Sequence, residues 1–305
     1  MSTPPPLQGT RCPWHDYRQS WFYMVTMTTF ERRPLFGTCR DDKSFPSREG
    51  WLMYDHWRDL SNQFPQLDTT TFVIMPDHIH GIIHVKERME NPLGVPLRAF
   101  KSLSTGTLRR HLHDPTLTLW APGFHDWRVM RHGSLKAFTD YIRDNPRRYC
   151  LKKAHPDLFV RVDTLVHPRL PQNTPWSGYG NLFLLGRPVI IPIRISRSVT
   201  PEALAKIKED VLQEVADGAI VISPFISQGE KDIANMVLDM DYGDVILMNP
   251  NGFPPCFRPR GKYFDLCAKG RLLLLSAFPA TAQNTPLTKE LCEQMNAWCR
   301  DIAQV

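Results

Sequence analysis

The stretch Phe72–Val85, FVIMPDHIHGIIHV, decides the fold of the first half of the chain. Apolar and β-branched residues fill it up to Met75, a proline–aspartate pair interrupts them, and the extended pattern resumes at His80. His78 and His80 are two residues apart, so in a strand their side chains project from the same face, about 6.6 Å apart. Two imidazoles at that spacing can bind one metal ion, although such a pair is also compatible with solvated or packed histidines.

A third histidine from the same strand does not complete such a site. His84 shares the face of His80, but the rise of a strand places it about 13 Å away. A histidine triad would require histidine at position 82, where the sequence has Ile82. A third ligand would therefore have to come from another secondary-structure element.

The segment Tyr141–Pro146, YIRDNP, lies on a predicted helix and supplies a candidate. Tyr141 and Asn145 are spaced i and i+4, so their side chains are neighbours on one helical face. A phenol beside an amide oxygen, brought against two imidazoles, supplies a nucleophile and a third metal ligand. The alternative is that Tyr141 packs on the sheet and that Asn145 is only a polar residue near a helix end.

Strand and helix patterns alternate around these two segments. The strand patterns are rich in aromatic and β-branched residues, and the helix patterns have apolar residues at helical spacing. In chain order they are Trp21–Thr29 (strand), Ser47–Phe64 (helix), Thr69–Met75 (strand), His80–Val85 (strand), Leu97–Leu112 (helix), Phe124–Met130 (strand) and Ser134–Asn145 (helix), the last stopped by Pro146. The order β-α-β-β-α-β-α predicts an α+β domain, an antiparallel sheet with helices on one side.

The second half of the chain has a different pattern. Three prolines and two glycines among the fourteen residues His167–Gly180 predict a linker. Apolar runs and helical patterns then alternate: Leu182–Ile195, Thr200–Asp217 (helix, N-cap Thr200), Ala219–Ser223, Glu230–Asp239 (helix), Asp244–Met248 and Arg271–Ser276. Strands that are apolar throughout and alternate with helices predict an α/β domain, a parallel sheet with helices on both sides. The predicted domains are therefore 1–166 and 181–305.

Positive charge and histidine are concentrated in the first half. Residues 1–170 contain 24 Lys+Arg, 17 Asp+Glu and all 11 histidines, whereas residues 171–305 contain 13 Lys+Arg, 14 Asp+Glu and no histidine. The resulting charges, +7 and −1, suggest that the halves do different jobs. A basic half is typical of a protein that binds a polyanion, because neutralised phosphates release counterions. Many basic domains bind nothing, so the charge alone leaves both interpretations open.

Composition excludes several classes of protein. An apolar fraction of 42% with 22% charged residues is that of a globular chain with a substantial core. The chain has neither an apolar run of about eighteen residues nor an apolar signal-peptide core, so we expect no membrane span and a cytoplasmic protein, nucleoid-associated if bacterial. Seven cysteines without a CxxC pair favour free thiols over disulfides or a cysteine zinc site.

At this point the residues resemble a known family. PDHIHGIIH (Pro76–His84) resembles the HUH motif (His, hydrophobic, His) of single-strand-specific nucleases and transposases. Together with Tyr141–Pro146 it resembles the one-tyrosine transposases of the insertion-sequence type, especially the REP-associated tyrosine transposases, whose signatures are M-P-[ND]-H-x-H and Y-I-x-x-N-P. Thr26–Gly37 and Leu119–Arg131 resemble that family's first strand with its Arg-rich turn and its W-x-x-x-[FY]-x-D segment. The resemblance covers roughly residues 17–155.

The resemblance implies a ferredoxin- or RRM-like HUH fold and a role for each matched position. His78 and His80 would bind Mg²⁺ or Mn²⁺ with Asn145 as the third protein ligand, and Tyr141 would be the nucleophile. The partner of the protein would be single-stranded or hairpin DNA. The protein, as a monomer or a homodimer, would nick and rejoin this DNA through a 5′-phosphotyrosine. Neutral imidazole and amide ligands leave the cation its full charge for attracting a phosphate.

Basic residues around this site and one tryptophan are the candidates for contacting the DNA backbone and stacking on its bases. They are Arg109, Arg110, Trp127, Arg131, Arg147, Arg148, Lys152 and Lys153. Each of these positions, taken singly, is also compatible with an ordinary solvated surface residue.

Three segments of the second half resemble, more loosely, the Rossmann-like domain of DNA-processing protein A (the Smf/DprA family). They are GAIVISPFISQGEKDIAN, VILMNPNGF and CAKGRLLLLS, within roughly residues 181–279. The family's glycine-rich turn appears here as SPFISQGEKDI, with Gly229 as its only glycine, which puts phosphate binding by backbone amides in doubt. We therefore expect a structural or DNA-docking module without its own catalysis.

Three alternatives to a tyrosine transposase stay open. The chain could be a domesticated protein that binds structured DNA without moving it, or a metal-dependent nuclease that uses water. In the third, the C-terminal half has the main role, as a single-strand-binding or nucleotide-binding unit. Cleavage with a covalent adduct distinguishes the transposase from the first two.

Overall fold

The structure of the chain is a computed structural model with a mixed α/β architecture. It describes residues 15–129, 134–255, 257–280 and 285–304. The chain divides into two compact units, Met1–Leu151 and Lys152–Val305. In the described ranges, no helix is both long enough and apolar enough to cross a membrane.

The first unit contains a four-stranded antiparallel sheet, a two-stranded hairpin and three helices. Its elements are β1 (Trp21–Thr28), β2 (Gly37–Arg40), β3 (Lys43–Pro46), α1 (Arg48–Gln63), β4 (Leu67–Met75), β5 (His78–Val85), α2 (Gly94–His111), β6 (His125–Arg128) and α3 (Ser134–Ala154). The four-stranded sheet has the order β4-β5-β1-β6, and β2 pairs only with β3. The predicted order β-α-β-β-α-β-α is therefore confirmed for the main sheet, while the β2–β3 hairpin was not predicted.

Helices cover both faces of this sheet. On one face α1 and α2 contribute Trp57 and Phe100 to a buried cluster that includes Ile79 of β5. On the other face Ile142 of α3 shares a buried cluster with Ile82. The prediction of helices on one side is therefore wrong, although the α+β class agrees with the structure. The physical reason is the alternation of β5: the face that carries the histidines also carries an isoleucine, which a helix must cover.

The close packing of Gly81 against α1 leads to a first prediction. A Cβ atom at Gly81 would lie 2.2 Å from Cζ2 of Trp57, a fully buried side chain whose indole N–H donates to the Thr69 carbonyl over 3.1 Å. Gly81→Ala should therefore destabilise this unit by about 1–3 kcal/mol through overpacking. Urea unfolding of the full chain measures the loss. The control is Gly106→Ala in α2, where the nearest atom is 3.6 Å away and alanine should be tolerated. Equal unfolding midpoints for the two variants would contradict the prediction.

Helix α3 does not end where the sequence suggests. The predicted end was Asn145, but the helix continues through Pro146 to Ala154. A proline inside a helix lacks the N–H that would bond to the carbonyl four residues earlier, which costs about 3 kcal/mol. Ile142, Asn145, Pro146 and Arg148 are all buried, so packing of this side of the helix offsets the missing hydrogen bond.

The second unit contains a six-stranded sheet with helices on both faces. Its strands are β7 (Arg161–Val162), β8 (Ser177–Gly180), β9 (Ile190–Pro192), β10 (Ile220–Ser223), β11 (Val245–Met248) and β12 (Leu272–Ser276), in the order β7-β8-β12-β11-β10-β9. Its helices are α4 (Pro201–Ala216), α5 (Gln228–Asp239), α6 (Lys262–Ala268) and α7 (Lys289–Ala303). Strands β9 to β12 are parallel, as predicted, and β8 and β7 extend the sheet antiparallel. The clusters of buried residues place α4, α5 and α6 on one face and α7 on the other.

The segment predicted as a linker, 167–180, differs from that expectation. Its last four residues form β8, which pairs with β12 inside the sheet. Gly180 has a φ of +111°, and a Cβ there would lie 2.4 Å from the Leu272 carbonyl oxygen. The glycine thus permits close approach to β12, where the sequence pattern suggested a break between domains.

Candidate cation and nucleophile site

The histidine pair lies at the start of β5, on the face covered by α3. The rings of His78 and His80 have their centroids 4.5 Å apart, and both residues are buried. Nδ1 of His78 lies 2.6 Å from the Asp77 carboxylate, and Nδ1 of His80 lies 2.7 Å from the Thr26 hydroxyl. Because Nδ1 of each ring is engaged, Nε2 is the atom with which each ring would bind an ion.

The register of the sheet explains this arrangement. Thr26 of β1 pairs with His80 of β5, so the hydroxyl and the imidazole are cross-strand neighbours on one face. His84 is on the same face, but its ring stacks on Phe22 with the centroids 3.9 Å apart. His84 is therefore a packed histidine, distinct from the pair at the start of the strand.

Tyr141 of α3 lies against this pair. Its ring centroid is 5.6 Å from that of His80, with the ring planes at 72°. The guanidinium carbon of Arg148, a buried residue, is 5.4 Å from the centroid of the Tyr141 ring. The structure thus brings together an imidazole of β5 with a phenol and a positive charge of α3.

Asn145 follows Tyr141 by one helical turn and is also buried. Its Nδ2 donates to the Tyr141 carbonyl over 3.0 Å, so Oδ1 is the atom that could face an ion. Further along α3, burial raises the pKa of Tyr149, and the nearby Asp77 carboxylate raises it further. The helix thus places Tyr141 beside His80, and Asn145 follows Tyr141 one turn later on the same helix.

The candidate donors at this place are two imidazole nitrogens and one amide oxygen. Among the described residues no group of three His, Cys, Asp or Glu side chains is arranged to hold a metal ion. An ion held by His78 and His80 would take its further ligand from another kind of side chain, and the Asn145 amide oxygen is the candidate.

The structure places the other predicted DNA-contacting residues on different faces of the sheet. Trp127 of β6 pairs with Met24, lies on the same face as the histidine pair and is 49% exposed. Arg109 and Arg110 are at the end of α2, on the opposite face, and Arg109 donates to the Leu117 carbonyl over 3.0 Å. These two arginines are therefore not brought together with the site, because α2 packs on the side of the sheet away from the histidines.

The basic residues of α3 are spread along the helix. Arg147 makes a bidentate ion pair with Asp144, with distances of 2.6 and 3.1 Å. Lys152 and Lys153 lie in the last turn, with the Lys152 ammonium 5.6 Å from the centroid of the Phe264 ring. Among the basic α3 candidates that the structure describes, Arg148 is the one that lies against the Tyr141 ring. Arg131 lies outside the described residues.

Three residues that sequence reasoning missed surround the pair. Thr26 and Asp77 hold the two imidazoles, and Arg32 donates to the second oxygen of Asp77 over 3.3 Å. Burial raises the pKa of Asp77, but the hydrogen bond and charge of His78, with the charge of Arg32, outweigh it and hold that pKa below its ordinary value. The adjacency of Asp77 to His78 was a usable signal in the sequence, whereas the contacts of Thr26 and Arg32 depend on the tertiary fold.

Comparisons with known proteins found similarity to parts of this chain. No protein-family model matches the sequence. An uncharacterised protein of Haemophilus influenzae is 24% identical over 159 residues, which are 46% of this chain and 87% of that protein. A REP-associated tyrosine transposase solved with a REP hairpin is 16% identical, with a TM-score of 0.37, over 46% of this chain and 74% of that chain.

Two further solved structures are similar to parts of the chain. A candidate transposase of Deinococcus radiodurans is 19% identical with a TM-score of 0.30, over 44% of this chain and 97% of its own. DNA processing protein A of Helicobacter pylori, solved in a study of its single-stranded DNA binding, is 17% identical with a TM-score of 0.35, over 48% of this chain and 67% of its own. Each of these similarities spans less than half of the present chain.

Proposed function

We propose that the chain is a metal-dependent transposase that nicks and rejoins single-stranded DNA, at or near a hairpin, through a 5′-phosphotyrosine on Tyr141. The observation that carries the proposal is the contact between the Tyr141 ring and His80, with centroids 5.6 Å apart, at a buried histidine pair. A phenol beside a pair of metal-ligating imidazoles can form a covalent intermediate, because it lies next to the group that binds the phosphate.

His78, His80 and Asn145 would hold the ion, Mg²⁺ or Mn²⁺. When bound, the ion polarises the scissile phosphate and offsets the charge that develops on its oxygens. Asp77 and Thr26 fix the orientation of the two imidazoles, which is the usual task of partners around metal-binding histidines.

Tyr141 would react with the DNA backbone as follows. The Tyr141 oxygen attacks phosphorus and releases its proton to solvent, while the bond from phosphorus to the 3′ oxygen breaks and that oxygen takes up a proton from solvent. The products are a 5′-phosphotyrosine and a free 3′-hydroxyl, and attack by a second 3′-hydroxyl reverses the step and joins a new strand. The Arg148 guanidinium beside the phenol favours the charge that accumulates there.

This function predicts a covalent protein–DNA adduct. The full chain is incubated with end-labelled single strands that contain hairpins, with Mn²⁺ or with EDTA, and the products are separated on a denaturing gel. We expect a labelled band at protein size with Mn²⁺ and none with EDTA. Cleavage without such a band would favour a nuclease that uses water, and binding without cleavage would favour a domesticated DNA-binding protein.

For the second unit we propose a Rossmann-like docking module related to DNA-processing protein A, without its own catalysis. Directly before α5, next to the helix N-terminus where such domains bind phosphate, backbone amides are bound by a side chain of the protein itself. The Glu230 carboxylate accepts from the backbone N–H groups of Ile195, Ile226 and Ser227 over 3.1, 2.6 and 3.1 Å. These amides are thus already paired with an anion, which argues against a nucleotide phosphate at this position.

A further inference from the structure

The turn after β1 has an unusual backbone and is fixed to Asp77. Glu31 and Arg32 have φ angles of 54° and 56°, in the left-handed region that non-glycine residues seldom adopt. Thr29 holds the turn in place, because its backbone N–H donates to the Asp77 carbonyl over 2.9 Å and its hydroxyl lies 2.8 Å from the Arg33 carbonyl and 3.0 Å from the Asp77 carbonyl. Strain of this kind persists only where the surroundings determine it, and it is concentrated at functional sites.

The Arg32 side chain bonds the carboxylate that also holds His78. One Arg32 nitrogen donates to Oδ2 of Asp77 over 3.3 Å, while Oδ1 of the same carboxylate lies 2.6 Å from Nδ1 of His78. The Arg32 side chain is nevertheless 63% exposed. A guanidinium has five N–H donors, and within the described part of the chain Asp77 is the side chain that it bonds. A largely exposed guanidinium is thus tied to a direct partner of the histidine pair.

We propose that Arg32 binds a phosphate of the single strand beside the cation site and that Asp77 positions it there; the inference rests on the proposed function. A planar guanidinium matches the geometry of a phosphate and keeps its charge at any working pH. The Arg32 end of its ion pair with Asp77 is exposed to solvent, although the Asp77 side chain is only 16% exposed; solvent screening therefore limits what the pair contributes to stability. Because one carboxylate holds both Arg32 and His78, the phosphate contact and the ion would lie on adjacent parts of the same DNA backbone.

The test measures binding of a fluorescent single-stranded hairpin oligonucleotide to the full chain, in EDTA, across a range of salt concentrations. Arg32→Gln should weaken binding about 10-fold and lower the slope of log affinity against log salt by about 0.7, the value for one phosphate on a single strand. Arg32→Lys keeps the charge, and its affinity should lie between those of the wild type and Arg32→Gln. The matched control is Arg98→Gln, an exposed arginine of α2 on the opposite face of the sheet, which should change affinity less than 2-fold.

The outcomes separate this inference from the proposed function. If the wild-type chain binds and forms the adduct while Arg32→Gln and Arg32→Lys bind like Arg98→Gln, the inference is overturned and the function stands. If Arg32→Gln loses affinity but Arg32→Lys does not, the charge alone acts and the proposed guanidinium geometry is wrong. If the wild-type chain neither binds nor cuts single strands, the proposed function fails and the inference fails with it. Thermal unfolding of each variant verifies that it is folded.

Discussion

Tyr141→Phe should abolish the covalent protein–DNA adduct and lower strand cleavage at least about 1,000-fold, because the attacking oxygen is removed. The aromatic ring is kept, and that ring is what packs beside His80 and the buried cluster of Ile142. The variant should therefore fold and bind single strands like the wild type. The measurement is the adduct gel with Mn²⁺, together with the affinity for the same oligonucleotide.

The chain offers a matched control in Tyr149, a second tyrosine of α3. The pKa of its phenol is raised by burial and then by the charge of Asp77, which disfavours the phenolate that attack requires. Tyr149→Phe should therefore leave adduct formation within a few-fold of wild type. An adduct that survives in Tyr141→Phe and disappears in Tyr149→Phe would show that the nucleophile is misassigned. Unchanged cleavage with no adduct in either variant would indicate attack by water.

Local signals in the sequence located most elements of both units. Ser47 caps α1 and Thr200 caps α4, each by accepting a backbone N–H over 3.2 Å, and both helices begin where the sequence predicts. The two histidines and the pair Tyr141 and Asn145 could also be selected, because i+2 and i+4 spacings are read without a tertiary structure.

What the sequence could not predict depends on registers and on packing. The hydroxyl of Thr26 reaches His80 because the two residues are paired, and a slip of one residue would turn that side chain to the other face. The position of Arg32 depends on a left-handed backbone that its residue type does not favour. The extension of α3 past Pro146 depends on burial, which outweighs a strong local signal for helix termination.

The cation proposal makes the second large prediction. His80→Ala should lower the affinity for Mn²⁺ at least about 100-fold, because loss of an outer partner of a metal-binding histidine alone costs about 10–100-fold. Calorimetric titration of the full chain with Mn²⁺ measures this without reference to activity. Adduct formation at a fixed Mn²⁺ concentration should fall with it.

The control for this prediction comes from the same strand and the same face. His84 is four residues beyond His80, and its ring stacks on Phe22, so His84→Ala removes an imidazole of equal size without touching the pair. It should leave the Mn²⁺ affinity unchanged. Thr26→Val removes the hydroxyl that holds Nδ1 of His80 and should have an intermediate effect, about 10-fold. If Thr26 orients His80 as a metal ligand, the loss of Mn²⁺ affinity should be largest for His80→Ala, smaller for Thr26→Val and absent for His84→Ala. Equal Mn²⁺ affinities for His80→Ala and His84→Ala would exclude the histidine pair as the cation site.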